Sequence, residues 1–235
     1  MHIRASRGDI AERVLVAGDP GRIDLISSLL SDAKLVNTHR GFIVYTGYYN
    51  GVPVSLASHG VGGPSAAIVF EELVILGAKI IVRLGTCGSL LGDIGLGELI
   101  IPTGASYYLG GLYYQYMGES ACAPTTPHYE VLKSLVEEAT RANARYHVGP
   151  VVSSDAFYAE SRDFALKWSS RGVIAVEMEC ATLFMLGHMR RVKTGALLVV
   201  SDNLVTGVHA SSEELRDTVL KAARIALNAV AKVTP

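Results

Sequence analysis

Four short stretches set chemistry-bearing side chains beside glycines or at the ends of apolar runs. The first is Gly18-Asp19-Pro20-Gly21-Arg22, which follows the run Val14–Ala17 and opens a helical pattern. Glycines let a backbone approach a ligand, and a helix start offers free N–H groups to an anion. Arg22 adds charge-assisted bonds of the kind that suit phosphate. The same residues also suit a tight turn with a solvated arginine. The loop lacks the Gly-Lys-Ser/Thr of a Walker motif, and Gly60-Val61-Gly62-Gly63-Pro64-Ser65 lacks the last glycine of a dinucleotide fingerprint.

The second stretch is Ile80-Ile81-Val82-Arg83-Leu84-Gly85-Thr86-Cys87-Gly88. Arg83 ends an apolar strand pattern, and an unpaired buried guanidinium is very costly. It therefore needs a bound anion, shared with Thr86 and the Gly18 loop, or an Asp or Glu partner. The third is Val176-Glu177-Met178-Glu179. One carboxylate can accept hydrogen bonds from both hydroxyls of a ribose diol, and a methionine can pack on the sugar. Acids also simply favour a helix N-terminus. The fourth is Val199-Val200-Ser201-Asp202. The carboxyl end of an apolar strand is where open α/β sheets bind ligands. An aspartate there can donate a proton to a leaving group, or can cap a turn.

The elements that must position these residues alternate between strand and helix. Strands are expected over Val14–Ala17, Ile43–Tyr48, Val54–Ser58, Ile80–Leu84, Leu99–Pro102, Val148–Val152, Ile174–Val176 and Leu197–Val200. Helices are expected over Arg22–Leu30, Ser65–Leu76, Tyr129–Asn143, Arg162–Ser170, Glu179–Met189 and Ser212–Val233. Ser65 and Ser211 or Ser212 are the expected N-caps. The alternation implies an α/β fold, one three-layer αβα domain over residues 1–235 around a central twisted mixed sheet. Ala105–Pro127 is the irregular stretch and holds Tyr107, Tyr108, Tyr113, Tyr114 and Tyr116. Tyrosine suits a place with one buried and one wet end, such as an interface or a pocket rim.

Composition narrows the partners. The 235 residues carry a net charge of −1, which argues against a nucleic-acid binder. Only 18% are charged and 49% are hydrophobic, which points to a buried subunit interface. No run is long enough for a membrane helix, and Met1-His2-Ile3-Arg4 opens no signal-peptide pattern. A cytoplasmic protein is expected. Cys87, Cys122 and Cys180 make neither a disulfide framework nor a CxxC pair.

Together the motifs resemble the nucleoside phosphorylase-I family, that is, the hexameric purine nucleoside phosphorylases and the 5′-methylthioadenosine phosphorylases. Further motifs carry the resemblance: His2-Ile3, His39-Arg40-Gly41-Phe42, His59-Gly60, Gly63-Pro64-Ser65 and Ser154-Asp155-Ala156-Phe157-Tyr158. The archaeal methylthioadenosine enzymes look closest, through Tyr113-Tyr114-Gln115-Tyr116 and Ala181-Thr182-Leu183-Phe184. The resemblance implies phosphate held by Gly18, Arg22, Arg83 and Thr86, with Arg40 from a neighbouring subunit. It implies Glu179 and Met178 at the ribose, with the neighbour's His2 at its 5′ end. Phe157, Val176, Glu177, Ser201 and Asp202 would meet the base, and Asp202 would protonate N7. It also implies a homohexamer (a trimer of dimers), purine nucleoside and phosphate as substrates, and neither metal nor organic cofactor. In the archaeal relatives a cysteine at the place of Cys122 can bridge subunits. Relatives of this shape often carry an arginine downstream in the last helix that helps the aspartate. The nearest candidate, Arg216, is displaced by one position and is left outside the expected site.

Uridine phosphorylase shares the scaffold, but it reads uracil with a glutamine and an arginine where this chain has Ser161 and Asp163. A nucleosidase would have little use for Arg22, Arg40 and Arg83 together. A non-catalytic nucleoside-binding protein would not need Asp202.

Overall fold

The computed structural model describes residues 1–235. Its apolar runs form largely buried strands. They are β1 (Arg13–Ala17), β3 (Val44–Tyr49), β4 (Val52–Ser58), β5 (Ile80–Ser89), β6 (Leu99–Tyr107), β7 (Tyr146–Ser153), β8 (Ala175–Glu177) and β9 (Lys193–Asn203). Two further strands lie at the sheet edges, β2 (Ser31–Asn37) and β10 (Val208–His209). The apolar pattern misses β2 because Asp32 and Lys34 face solvent. Charged, exposed residues of that kind are how natural sheets blunt an edge.

All ten strands join one mixed sheet in the order β10-β9-β6-β7-β8-β5-β1-β4-β3-β2. The pairs β1–β4, β1–β5 and β5–β9 are parallel, whereas β5–β8 and β6–β9 are antiparallel. Because β5 pairs with both β8 and β9, the strands β5, β9, β6, β7 and β8 close into a ring.

Helices cover both faces, as the α/β expectation requires. On one face α2 (Gly63–Leu76) and α6 (Cys180–Arg190) close a core of 31 buried residues. On the other, α1 (Pro20–Ser27), α4 (Tyr129–Arg141) and α7 (Arg216–Lys232) close one of 28, so neither face is left for solvent. An eight-residue helix such as α1 is marginal by itself in water. Burial of Ile23 and Ile26 holds it, at about 1.5–3 kcal/mol for each side chain. No helix is long and apolar enough to cross a membrane.

Three local expectations are corrected. The helix α2 begins at Gly63, so Ser65 lies inside its first turn and donates to the His59 carbonyl at 2.7 Å instead of capping. Neither Ser211 nor Ser212 caps α7, whose N-cap is Leu215 without a side-chain bond. Ser211 accepts from Glu214 N at 3.3 Å, and its own N–H donates to the Glu214 carboxylate at 2.6 Å, in the turn ahead of the helix. The tyrosine-rich stretch is not all irregular. It holds α3 (Gly111–Met117) between Gly110 and Gly118, with Tyr113 buried and stacked on Tyr107 at 4.1 Å. The remaining helix, α5 (Arg162–Ser169), packs Ala165 and Trp168 into a small third cluster.

Candidate active site

β5 carries Arg83 into the centre of the molecule, where it is 4% exposed. Its Nη2 lies 2.5 Å from Glu179 Oε2, its Nε donates to Glu177 Oε2 at 3.3 Å, and its Nη1 lies 3.2 Å from His59 Nε2. Burial works against the guanidinium charge, but Glu179 and Glu177 outweigh it and hold the pKa above its usual value. Burial, seconded by Arg83, pushes His59 well below its usual value, so its Nε2 presents a lone pair to Arg83. Gly85 is required here, because a Cβ on it would stand 2.7 Å from the Arg83 guanidinium.

The ion-pair alternative for Arg83 is thus realised within the chain, with two carboxylates. The two differ. Glu177 Oε1 accepts from Ser153 Oγ at 2.5 Å, and its Oε2 accepts from Glu179 N at 2.8 Å and Cys180 N at 2.9 Å. It caps α6 from inside, so Glu177 stands in the cavity wall but its carboxylate is not free to read a base. Glu179 instead accepts from Gly62 N at 2.6 Å and keeps its place beside the cavity. Burial pushes its carboxyl up. Burial also raises Cys87 and Cys180 well above the usual thiol range, so neither is a nucleophile.

One cavity of about 670 Å³ runs past these groups, within the usual range for a small-molecule site. Gly18, Arg22, Arg83, Thr86, Phe157, Val176, Glu177, Met178, Glu179, Ser201 and Asp202 all line it, which brings eleven of the expected site residues together. Asp19 caps α1 by accepting from Gly21 N at 2.8 Å, so part of the helix start is already satisfied. Arg22 donates to the Leu84 carbonyl at 3.1 Å. Burial lowers its pKa, and so does the nearby Arg83. Two neighbouring guanidiniums on one wall favour an anion between them.

Asp202 stands at the end of β9. In the β5–β9 pairing Cys87 opposes Val200 and Gly88 opposes Asp202, so Ser201 is an extra residue, a bulge. Bulges near sites re-aim side chains. Ser201 Oγ donates to Asp202 Oδ1 at 2.8 Å. Gly88 leaves the room, since a Cβ there would stand 2.7 Å from Asp202 Oδ2. Phe157 is 58% exposed at the rim.

His2 and Arg40 lie outside this cavity. Arg40 is exposed in a left-handed conformation at φ 58°, and the His2 ring is tied to Glu72 at 2.9 Å. One lining residue, Glu160, escapes the sequence reading. Glu160 borders the cavity with an Oε1 that has no partner, and burial, with Asp202 and Glu177, raises its pKa. Arg216 lines an adjoining cleft that shares Asp19, Arg22, Thr86, Phe157, Ser201 and Asp202 with the cavity. Its position one residue off the family spacing was the only signal. Glu160 has none, because an unpartnered oxygen is a tertiary property. No group of three or more His, Cys, Asp and Glu side chains converges as a metal site.

Residues 12–234 match the profile of the Phosphorylase superfamily. A guanosine phosphorylase of Halorubrum lacusprofundi is 38% identical over 97% of both chains. A DeoD-type purine nucleoside phosphorylase of Caldanaerobacter subterraneus is 39% identical over 97% of this chain and 98% of its own. A uridine phosphorylase of Thermococcus kodakarensis is 35% identical over 91% of this chain and 80% of its own. The matched range spans all the residues that line the cavity, and the chain belongs to the phosphorylase superfamily.

Proposed function

We propose that this chain is a pentosyltransferase that cleaves the N-glycosidic bond of purine nucleosides with inorganic phosphate. The products are the free base and ribose 1-phosphate, or methylthioribose 1-phosphate from 5′-methylthioadenosine. The observation that carries the reading is one cavity with two adjacent arginines, a carboxylate beside them and an aspartate on a bulged strand end. Gly18, Arg22, Arg83 and Thr86 hold phosphate. Glu179 accepts the ribose hydroxyls with Met178 on the sugar. A phosphate oxygen attacks C1′ while the C1′–N9 electron pair leaves with the purine. The phosphate charge stabilises the positive sugar, and Asp202, in its acid form, gives N7 a proton. Phosphate is the nucleophile, so the reaction calls for no cofactor.

Phe157, Val176 and Ser201 shape the base side. Glu160, as a carboxylate, can accept from a purine N–H. Arg216 borders the adjoining cleft, whose lining Asp202 shares. His2 and Arg40 complete the site of a neighbouring copy, within a cytoplasmic homohexamer of residues 1–235 acting as one domain. Their place outside this chain's own cavity supports that sharing.

The test is phosphate-dependent base release from guanosine, inosine, adenosine, 5′-methylthioadenosine and uridine. Release from purine nucleosides that stops without phosphate is expected. Equal turnover with water would make it a nucleosidase, and a preference for uridine would overturn the purine reading.

A further inference from the structure

The chain preceding β1 belongs to no helix or strand until it reaches the sheet, yet its start is held tightly. Glu72 on α2 does the holding. Both carboxylate oxygens lie 2.8 Å from His2 N, Oε2 accepts from Ile3 N at 2.7 Å, and Oε1 lies 2.9 Å from His2 Nδ1. Glu72 is 8% exposed. Burial works against its charge, but the Ile3 and His2 N–H groups and the His2 ring outweigh it and keep the carboxyl below its usual value. Phe42 meets the His2 ring edge-on at 6.0 Å.

An ionised carboxylate only accepts hydrogen bonds. The His2 atom facing it, Nδ1, must therefore carry the proton. In the neutral ring this leaves the lone pair on Nε2, directed away from Glu72. We infer that Glu72 is a positioning residue: its carboxylate fixes the tautomer of His2 so that Nε2 accepts the 5′-hydroxyl of a nucleoside bound in the neighbouring subunit. This rests on the reading above that His2 completes another copy's site. It adds a residue that never touches substrate but selects for a 5′-hydroxyl through the ring it orients. The same helix serves its own subunit at the other end, where Gly62 N donates to Glu179 Oε1 at 2.6 Å. Glu72 lies nine residues beyond Gly63, about 13 Å along the axis.

Glu72→Gln tests the inference in the assembled protein. The glutamine oxygen can still accept from Ile3 N, but its NH2 facing the ring favours the opposite tautomer, with the proton on Nε2. The KM for inosine is expected to rise about tenfold, the worth of one hydrogen bond near the upper end of the usual range. The KM for 5′-deoxyinosine and for phosphate should stay within about twofold. His2→Ala should show the same selectivity, and the double variant should be no worse than His2→Ala alone, because the two residues act as one unit. Equal losses on inosine and 5′-deoxyinosine, a raised phosphate KM, or additive effects would each reduce Glu72 to a structural anchor and overturn the proposal. If His2→Ala does not separate the two nucleosides, the shared-site reading itself fails and takes the proposal with it. Should Glu72→Gln not assemble, ¹⁵N spectra of histidine-labelled wild-type protein, with the His2 signals assigned by His2→Ala, decide the point. A neutral ring with its proton on Nδ1 supports the clamp, and a proton on Nε2, in a neutral or a charged ring, overturns it.

Discussion

Around Arg83 the cavity wall is buried and each guanidinium nitrogen is paired, whereas around Asp202 it is open to two adjoining clefts. Arg83 meets two carboxylates and an imidazole before any ligand arrives. Asp202 meets only the hydroxyl of its neighbour Ser201 among side chains. The first wall is preorganised, so its charges cost little reorganisation when a transition state forms. The second is left free to meet substrates of differing shape. Stability and chemistry are thus coupled at one wall and separable at the other, which mutation can test.

The largest effect is expected at the buried wall. Arg83→Ala leaves Glu177 and Glu179 buried without their cation, a change of about 3–5 kcal/mol. For a chain of this size the Tm should fall by about 10 °C or more. Phosphate KM should rise at least about tenfold, while affinity for free purine base changes far less. A folded variant with unchanged Tm and phosphate KM would show that the pairing carries neither role.

Asp202→Asn addresses the open wall. Turnover of ordinary purine nucleosides should fall by about 10²-fold, because the amide cannot give up the proton. The Tm should move by no more than about 2 °C, because Asp202 is half-buried and bonded only to the Ser201 hydroxyl among side chains. A 7-methylguanosine substrate, already positive on the base, should lose much less. Equal losses on both substrates, or a large drop in Tm, would erase the contrast between the walls.

Glu160→Gln is the smallest and sharpest probe. Burial, then repulsion from Asp202 and Glu177, raises the Glu160 pKa in the folded chain. A carboxyl whose folded pKa is raised favours the folded state at low pH and loses that advantage as pH rises through the folded value. The amide never ionises, so the variant should gain about 1–2 °C in Tm at pH 7. The gain should vanish below about pH 4, where the wild-type carboxyl is protonated in both states. Thermal melts across about pH 3–8 measure it. A gain that persists at low pH would assign the effect to packing instead.

Much of the buried wall was legible from local order. Arg83 ends an apolar run, Gly85 and Thr86 follow it, and Glu177 and Glu179 sit where a strand meets a helix. Strand termini are where parallel sheets open, so the periodicity also located Gly18 and Asp202. The edge strand β2 was not legible, because exposed charged residues carry no apolar signal, and its partner β3 supplies what the sequence there lacks.

What the sequence alone determined is therefore a set of residues, their order and the strand ends that carry them. Tertiary structure decided which way each side chain faces. Glu177 and Glu179 are two residues apart with similar local prospects. Both meet Arg83, but Glu177 turns inward to cap α6 while Glu179 reaches Gly62, a residue 117 positions away. The Ser201 bulge exists only because β9 pairs with β5 across more than a hundred residues. Glu72 is one of two adjacent glutamates on α2, set apart only by the chain start that folds over it. A burial or a hydrogen bond between distant residues depends on where the whole sheet brings them, and no local pattern encodes that meeting.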